Sequence, residues 1–130
     1  MIGIVIIAHG GLAEEYRKAV EHVMGPQVGV EAISVGAACD RAAKSREICA
    51  AADAVDEGDG VILVTDIYGG SPSNLSLPAC AAKNRLIFYG VNFPALIKLA
   101  RSRAKPLAEA VALAKAAGTR YMGVAEGPAA

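Results

Sequence analysis

Short apolar runs alternate with amphipathic stretches along the chain. Runs rich in β-branched residues predict buried strands, and the intervening stretches carry apolar residues at helical spacing. Strands are predicted at Ile2–Ala8, Val30–Val35, Val61–Thr65 and Leu86–Val91. Helices are predicted at Leu12–Met24, from Asp40, after Ser71, from Asn92 to Arg103 and over Pro106–Ala117.

This order of elements predicts an α/β fold. Parallel strands joined by right-handed helical crossovers form a doubly wound, mainly parallel sheet, here in the order 2-1-3-4 with helices on both faces. Gly118 is expected to end the last helix, and Arg120–Ala125 to form a weaker carboxy-terminal strand. We expect a single domain over residues 1–126 and a frayed tail at 127–130.

Composition narrows the class of protein. The 130 residues are 54% apolar, which is enough for one full core. Lysine plus arginine and aspartate plus glutamate each total 13, whereas a nucleic-acid binder usually carries a basic excess. The three cysteines lack CxxC spacing and favour a reduced, cytoplasmic protein. The first apolar run is too short for a signal peptide or a membrane span, so we expect no membrane-embedded part.

His9 is the leading candidate for a nucleophile. It follows the first predicted strand and precedes Gly10-Gly11 and a helix. A strand that ends in this way presents its last side chain at the carboxyl edge of the sheet, where open α/β sheets bind ligands. The alternative is a structural histidine bonded to a backbone carbonyl.

A second cluster follows the third strand and contains Asp66, Gly69-Gly70 and Ser71-Pro72. Strands 1 and 3 are neighbours in the predicted order, so His9 and Asp66 should face each other across the switch-point crevice. Ser71-Pro72 has the pattern of a capping serine followed by proline at the first helical position. A helix start beside a His–Asp pair favours an anionic ligand, of which a phosphoryl group is the obvious one.

Each of these residues also has a purely structural interpretation. Asp66 alone is compatible with a loop residue that binds a nearby backbone N–H. The glycines and Ser71-Pro72 would form a turn and a helix cap in either case. Asn92 is expected to cap a helix, and His22 to lie on the surface. The cysteines are expected to fill alanine-sized core space.

Together the motifs resemble one known family. The sequences A-H-G-G at 8–11, D-x-x-G-G-S-P at 66–72 and G-V-N-F-P at 90–94 resemble the mannose-family enzyme IIA component of the bacterial phosphoenolpyruvate-dependent phosphotransferase system. The resemblance covers nearly the whole chain, with the motifs in the family's order.

The resemblance implies a function and partners. The histidine matching His9 accepts a phosphoryl group from the phosphocarrier HPr and passes it to a IIB protein in sugar uptake, while the aspartate matching Asp66 orients the imidazole. It also implies a homodimer that exchanges a carboxy-terminal strand. The chemistry suits these residues: Asp66 would fix the tautomer of His9, and backbone N–H groups around Gly10, Gly70 and Ser71, with the Ser71 hydroxyl, would hold phosphoryl oxygens. It requires no metal and no cofactor.

Two alternatives accompany this prediction. One is a regulator of the same fold, in which phosphorylated His9 changes the binding of a partner. The other is a tetrapyrrole metal chelatase, whose first strand also ends in His-Gly. Two departures from the family pattern are Tyr68, expected at a partner contact, and Pro78, which should kink or restart the helix after Ser71.

Overall fold

The computed structural model describes residues 1–67, 69–81 and 84–128. Four parallel strands form one sheet in the predicted order β2-β1-β3-β4. The strands are β1 (Gly3–His9), β2 (Val30–Val35), β3 (Val61–Thr65) and β4 (Arg85–Phe88). The helices are α1 (Leu12–Met24), α2 (Arg41–Val55), α3 (Ser71–Ser76), α4 (Phe93–Arg101) and α5 (Leu107–Arg120), with a 3₁₀ helix at Leu77–Ala81 after α3.

The helices cover both faces of the sheet, as predicted. Alternate residues of β1 point to opposite faces, so Ile4 and Ile6 pack with α1, α4 and α5, whereas Val5 and Ile7 pack with α2 and α3. All four of these side chains are fully buried. A central strand covered on both faces explains why β1 is a nearly continuous apolar run.

The register of the sheet brings the ends of β1 and β3 together. Ile7 pairs with Thr65, so β1 continues by two residues to His9 while Asp66 follows directly after β3. On its other side, His9 pairs with Val35 at the end of β2. The loops after β1, β2 and β3 therefore meet at one carboxyl edge.

Several predicted boundaries are confirmed by their local chemistry. Asp40 caps α2 by accepting a hydrogen bond from the Ala43 N–H at 3.2 Å. Asn92 caps α4 in the same way through the Ala95 N–H at 3.1 Å. Pro78 lies in the 3₁₀ helix that follows α3, which confirms the predicted break in that helix.

The fourth strand is shorter than the prediction of Leu86–Val91. It ends at Phe88, and Gly90 adopts a φ of 70°, a left-handed conformation that no regular strand contains. The chain then returns to the sheet edge, where the Val91 N–H donates to the Thr65 carbonyl at 3.1 Å. Gly90 therefore redirects the backbone between β4 and the cap of α4.

The predicted end of the last helix at Gly118 is wrong. Helix α5 continues to Arg120, and Gly118 is buried within it. A Cβ atom on Gly118 would lie 2.9 Å from the Ala95 Cβ and 3.0 Å from the Asn92 Oδ1. This glycine is therefore a close-packing position between α4 and α5 and not a helix terminator.

The predicted strand at Arg120–Ala125 is also absent from the chain as described. Arg120 ends α5, and residues 122–128 form no helix or strand. Val124 is fully exposed, and Tyr121 and Met122 are largely so. A strand needs a second strand beside it, and this segment pairs with no strand of the described residues. Of the predicted tail at 127–130, residues 129 and 130 lie outside the described residues.

Candidate active site

His9 is the last residue of β1 and stands at the carboxyl edge of the sheet. Its backbone pairs with β2, while its side chain is 49% exposed and reaches solvent. Gly10 follows with a φ of 56°, the left-handed conformation that glycine adopts without steric cost. This turn ends β1 and begins α1 within three residues, which leaves the imidazole accessible.

Asp66 binds His9 at two points. Its Oδ2 lies 2.8 Å from the His9 Nδ1 and also accepts the His9 backbone N–H at 3.0 Å. Its Oδ1 accepts the Ile67 N–H at 3.0 Å. The Asp66 side chain is only 11% exposed. The predicted meeting of His9 and Asp66 across the crevice is therefore confirmed.

The electrostatics of this pair favour one tautomer of His9. Burial by itself would raise the pKa of Asp66, but hydrogen bonds from the His9 backbone and ring, the nearby ring charge and the Ile67 N–H outweigh it and lower that pKa. Asp66 is thus ionised and can only accept hydrogen bonds. The proton of a neutral His9 ring therefore lies on Nδ1, which leaves a lone pair on Nε2.

Gly70 packs against the imidazole. A Cβ atom at this position would lie 3.1 Å from both the His9 Cε1 and the Ile67 Cγ1. Its φ of −80° is open to any residue, so the requirement for glycine comes from the neighbouring side chains and not from the backbone. The ring is held by Asp66 on one side and confined by Gly70 on another.

Ser71 does not cap α3 as the sequence predicted. The cap residue is Gly70, Ser71 is the first residue of the helix, and no side chain caps this helix. The Ser71 hydroxyl instead accepts a hydrogen bond from the Arg41 Nη1 at 3.2 Å. Within the described residues, the backbone N–H groups of Gly70 and Ser71 bind no acceptor.

Arg41 is a site residue that the sequence analysis missed. It is the first residue of α2, after the loop that leaves β2, and so belongs to the same carboxyl edge as His9. A pocket of about 370 Å³ lies between these loops. Its lining includes His9, Gly10, Gly36, Cys39, Arg41 and Ser71. The position of Arg41 directly after a strand and its loop is the signal that would have identified it.

The Gly10 N–H is not free to bind a ligand. It donates to the Val35 carbonyl at 3.2 Å, so a phosphoryl oxygen would have to compete for it. Helix α1 nevertheless begins two residues further on, at Leu12, with no side-chain cap from the described residues. The amino end of this 13-residue helix carries partial positive charge next to His9, which favours an anion there.

The remaining candidates lie outside this pocket or at its margin. His22 is exposed on α1, as predicted. All three cysteines are half-buried and pack against the core on the α2 face, namely Cys39, Cys49 and Cys80. Cys39 also lines the pocket. Tyr68, the predicted partner contact, lies outside the described residues.

Within residues 1–67, 69–81 and 84–128, no three His, Cys, Asp or Glu side chains lie close enough to hold one metal ion. No helix there combines the length and the apolar character needed to cross a membrane.

Comparison with known proteins identifies the family. The family described as "PTS system fructose IIA component" (EIIA-man) matches residues 3–115. The mannose-specific EIIAB component of the phosphotransferase system (PTS) from Escherichia coli K12 is 32% identical over 120 residues, or 90% of this chain. This chain spans only 37% of the length of that relative.

Solved structures show the same fold. The mannose/sorbose specific IIA subunit from Enterococcus faecalis superposes with a TM-score of 0.86 at 19% identity, covering 98% of this chain and 97% of that one. The PTS IIA protein associated with the fucose utilization operon from Streptococcus pneumoniae has a TM-score of 0.77 at 26% identity, covering 88% of each chain. From these matches and the His9–Asp66 site, we conclude that the chain belongs to the EIIA-man family of phosphotransferase system IIA components.

Proposed function

We propose that this protein is a phosphoryl carrier that accepts a phosphoryl group on His9 from phosphorylated HPr and passes it to a separate IIB protein in sugar uptake. The observation that carries the proposal is the contact of 2.8 Å between the His9 Nδ1 and an ionised, mostly buried Asp66. Family membership supports the class of reaction. We propose that residues 1–126 form one IIA domain.

The transfer exchanges one nitrogen–phosphorus bond for another. The lone pair on the His9 Nε2 attacks phosphorus, and the imidazole of the donor's phosphohistidine leaves with the electron pair of its own N–P bond. The proton on the His9 Nδ1 stays in its hydrogen bond with Asp66. Asp66 thereby stabilises the positive charge that develops on the ring, and it holds the ring in the attacking orientation.

The surroundings of His9 suit a phosphoryl group. Gly70 and Ser71 supply backbone N–H groups and a hydroxyl beside the ring, and α1 begins next to it. The donor phosphohistidine is already activated, so positioning and electrostatics supply most of the catalysis. The proposed site thus consists of His9, Asp66, Gly70 and Ser71. Gly10 forms the turn that follows His9.

Protein partners need access to the ring. Two exposed apolar side chains follow the two site residues in sequence: Leu12, three residues after His9, is 39% exposed, and Ile67, directly after Asp66, is 54% exposed. Exposed apolar residues around a reactive histidine are suited to docking a partner protein. We propose that HPr and the IIB protein dock, one after the other, on the surface that Leu12 and Ile67 form.

We further propose that the chain forms a homodimer through residues 121–128. This segment exposes Tyr121, Met122 and Val124 and makes no strand within its own chain. A second copy would supply the missing backbone partner. Light scattering should give a dimer mass for the intact chain and a monomer mass after removal of residues 122–130; a monomeric intact chain would contradict the dimer.

The main experiment is phosphorylation in vitro. The chain is incubated with labelled phosphoenolpyruvate, enzyme I and HPr, alongside the variants His9→Ala and His22→Ala. We expect an acid-labile, base-stable phosphate on the wild type and on His22→Ala, and none on His9→Ala. A label that persists in His9→Ala would assign the phosphoryl group to another residue.

A second step separates a carrier from a regulator. Purified phosphorylated chain is mixed with a IIB protein, and the label on each protein is followed over time. Transfer to the IIB protein supports the proposed carrier. A stable label that alters binding to another partner would instead support the regulatory alternative. Membership of the EIIA-man family argues against the tetrapyrrole chelatase alternative.

A further inference from the structure

Arg41 carries a positive charge that no carboxylate of the described residues neutralises. Its Nη1 donates to the Ser71 hydroxyl at 3.2 Å, and within the described residues no carboxylate pairs with it. The neighbouring Asp40 caps α2 through the Ala43 N–H and makes no ion pair with Arg41. An exposed arginine held by an uncharged hydroxyl keeps most of its capacity to bind an anion.

Arg41 also lies in the pocket of the proposed reaction. It belongs to α2 and Ser71 to α3, and both residues line the same pocket as His9. A guanidinium offers a planar set of donors that matches two oxygens of a phosphoryl group. The Ser71 contact occupies only one of its nitrogens, and the other donors remain free within the described residues.

We propose that Arg41 binds the phosphoryl group on His9 and makes the phosphorylated state more favourable. This inference rests on the proposed transfer to His9. Arg41 contributes two hydrogen bonds and a positive charge to the phosphoryl oxygens, while Ser71 holds its side chain over the pocket. Arg41 forms no covalent bond during the transfer, so the bonds made and broken are still the two N–P bonds.

The first test measures the equilibrium and the rate of transfer between HPr and this chain. Arg41→Gln should shift the equilibrium towards phosphorylated HPr by at least about tenfold, because it removes the positive charge and its charge-assisted hydrogen bonds. Arg41→Lys should shift the equilibrium less than Arg41→Gln does, because lysine keeps the positive charge but lacks the planar set of donors. Arg46→Gln, also an exposed arginine of α2 but not part of the pocket lining, is the matched control and should behave as wild type.

Ser71→Ala tests whether Ser71 acts through Arg41. It should weaken phosphorylation less than His9→Ala does, and its effect should be smaller in the Arg41→Gln background, where only the direct contribution of the hydroxyl remains. Equal effects of Ser71→Ala in both backgrounds would overturn the positioning role of Ser71. An equilibrium unchanged in Arg41→Gln, with wild-type labelling intact, would overturn the Arg41 proposal alone.

A separate titration keeps the two proposals distinguishable. Inorganic phosphate is added to the unphosphorylated chain, and the NMR signals of the His9 ring and the Arg41 side chain are followed. We expect saturable shifts that are lost in Arg41→Gln and kept in Arg46→Gln. If the wild type cannot be phosphorylated but shows these shifts, only the transfer proposal fails; if the shifts survive in Arg41→Gln, the Arg41 site fails.

Discussion

A single carboxylate oxygen, the Asp66 Oδ2, accepts both the backbone N–H of His9 at 3.0 Å and the ring Nδ1 of the same residue at 2.8 Å. The two bonds tie the end of β1 to the loop after β3 and set the orientation of the ring relative to its own backbone. One aspartate therefore fixes both the position and the tautomer of the proposed nucleophile.

Replacing Asp66 by asparagine should slow phosphorylation of His9. The amide cannot carry a negative charge, so the positive charge that develops on the ring is less stabilised and the Nδ1 proton is less firmly held. Loss of such an orienting partner typically costs about 10- to 100-fold in activity. Rapid-quench measurement of label transfer from phosphorylated HPr checks this, and an unchanged rate would remove Asp66 from the mechanism.

Replacing Gly70 by alanine should disturb the imidazole without disturbing the fold. The added Cβ would lie 3.1 Å from the His9 Cε1, so the ring must move by a few tenths of an ångström against its bonds to Asp66. We expect a several-fold loss in transfer rate, below the roughly 100-fold that a 1 Å displacement can cause.

Gly11→Ala is the matched control for Gly70→Ala. Gly11 follows the same active-site turn, its φ is −87°, and a Cβ there would meet nothing within 4 Å. Its transfer rate should stay close to that of the wild type. Equal rates in Gly70→Ala and Gly11→Ala would show that the contact between Gly70 and the ring has no effect on catalysis.

Stability should depend on pH through Asp66. Burial opposes ionisation, but the hydrogen bonds from His9 and Ile67 outweigh it, so the pKa of Asp66 is lower in the folded chain than its ordinary value of 3.8. Its stabilising contribution is therefore complete above pH 3.8 and is lost as the pH falls through the lower folded value.

Urea unfolding of wild type and Asp66→Asn checks this dependence. The variant should be less stable than the wild type at neutral pH, and the difference should shrink at about pH 3 and below. Glu47→Gln, which removes an exposed carboxylate of a surface ion pair with Lys44, should change stability little at either pH. A difference for Asp66→Asn that is constant across the range would contradict the lowered pKa.

Gly3→Ala should destabilise the fold at the opposite end of β1. A Cβ on Gly3 would lie 2.4 Å from the Val55 backbone oxygen, so the end of α2 must move away from the sheet. Overpacking of this kind typically costs about 1–3 kcal/mol in the free energy of unfolding. Gly36→Ala, where a Cβ meets nothing within 4 Å, should unfold as the wild type does; equal stability of the two variants would contradict this packing.

The proposed nucleophile and its partner were predictable because they depend on rules that act along the chain. Apolar runs identify β1 and β3, and right-handed crossovers make those strands neighbours. The residues after parallel strands then share one edge of the sheet, which brings His9 and Asp66 together. No side-chain detail is needed for this inference.

The errors arose where packing between distant segments decides the outcome. Gly118 has the usual identity of a helix terminator, but here it is a close-packing position against α4. Ser71 has the pattern of a helix cap, but its hydroxyl binds Arg41 across the pocket instead. Strand pairing of the segment after α5 cannot be judged from its own residues, because a strand forms only beside another strand.

The sequence by itself determined the α/β class, the strand order and the pairing of His9 with Asp66, because hydrophobic periodicity and crossover handedness are local or nearly local properties. Only the tertiary structure decided the tautomer of His9, the need for glycine at position 70 and the presence of Arg41 at the pocket. Each of these depends on distances between side chains from separate loops, which the order of residues does not specify.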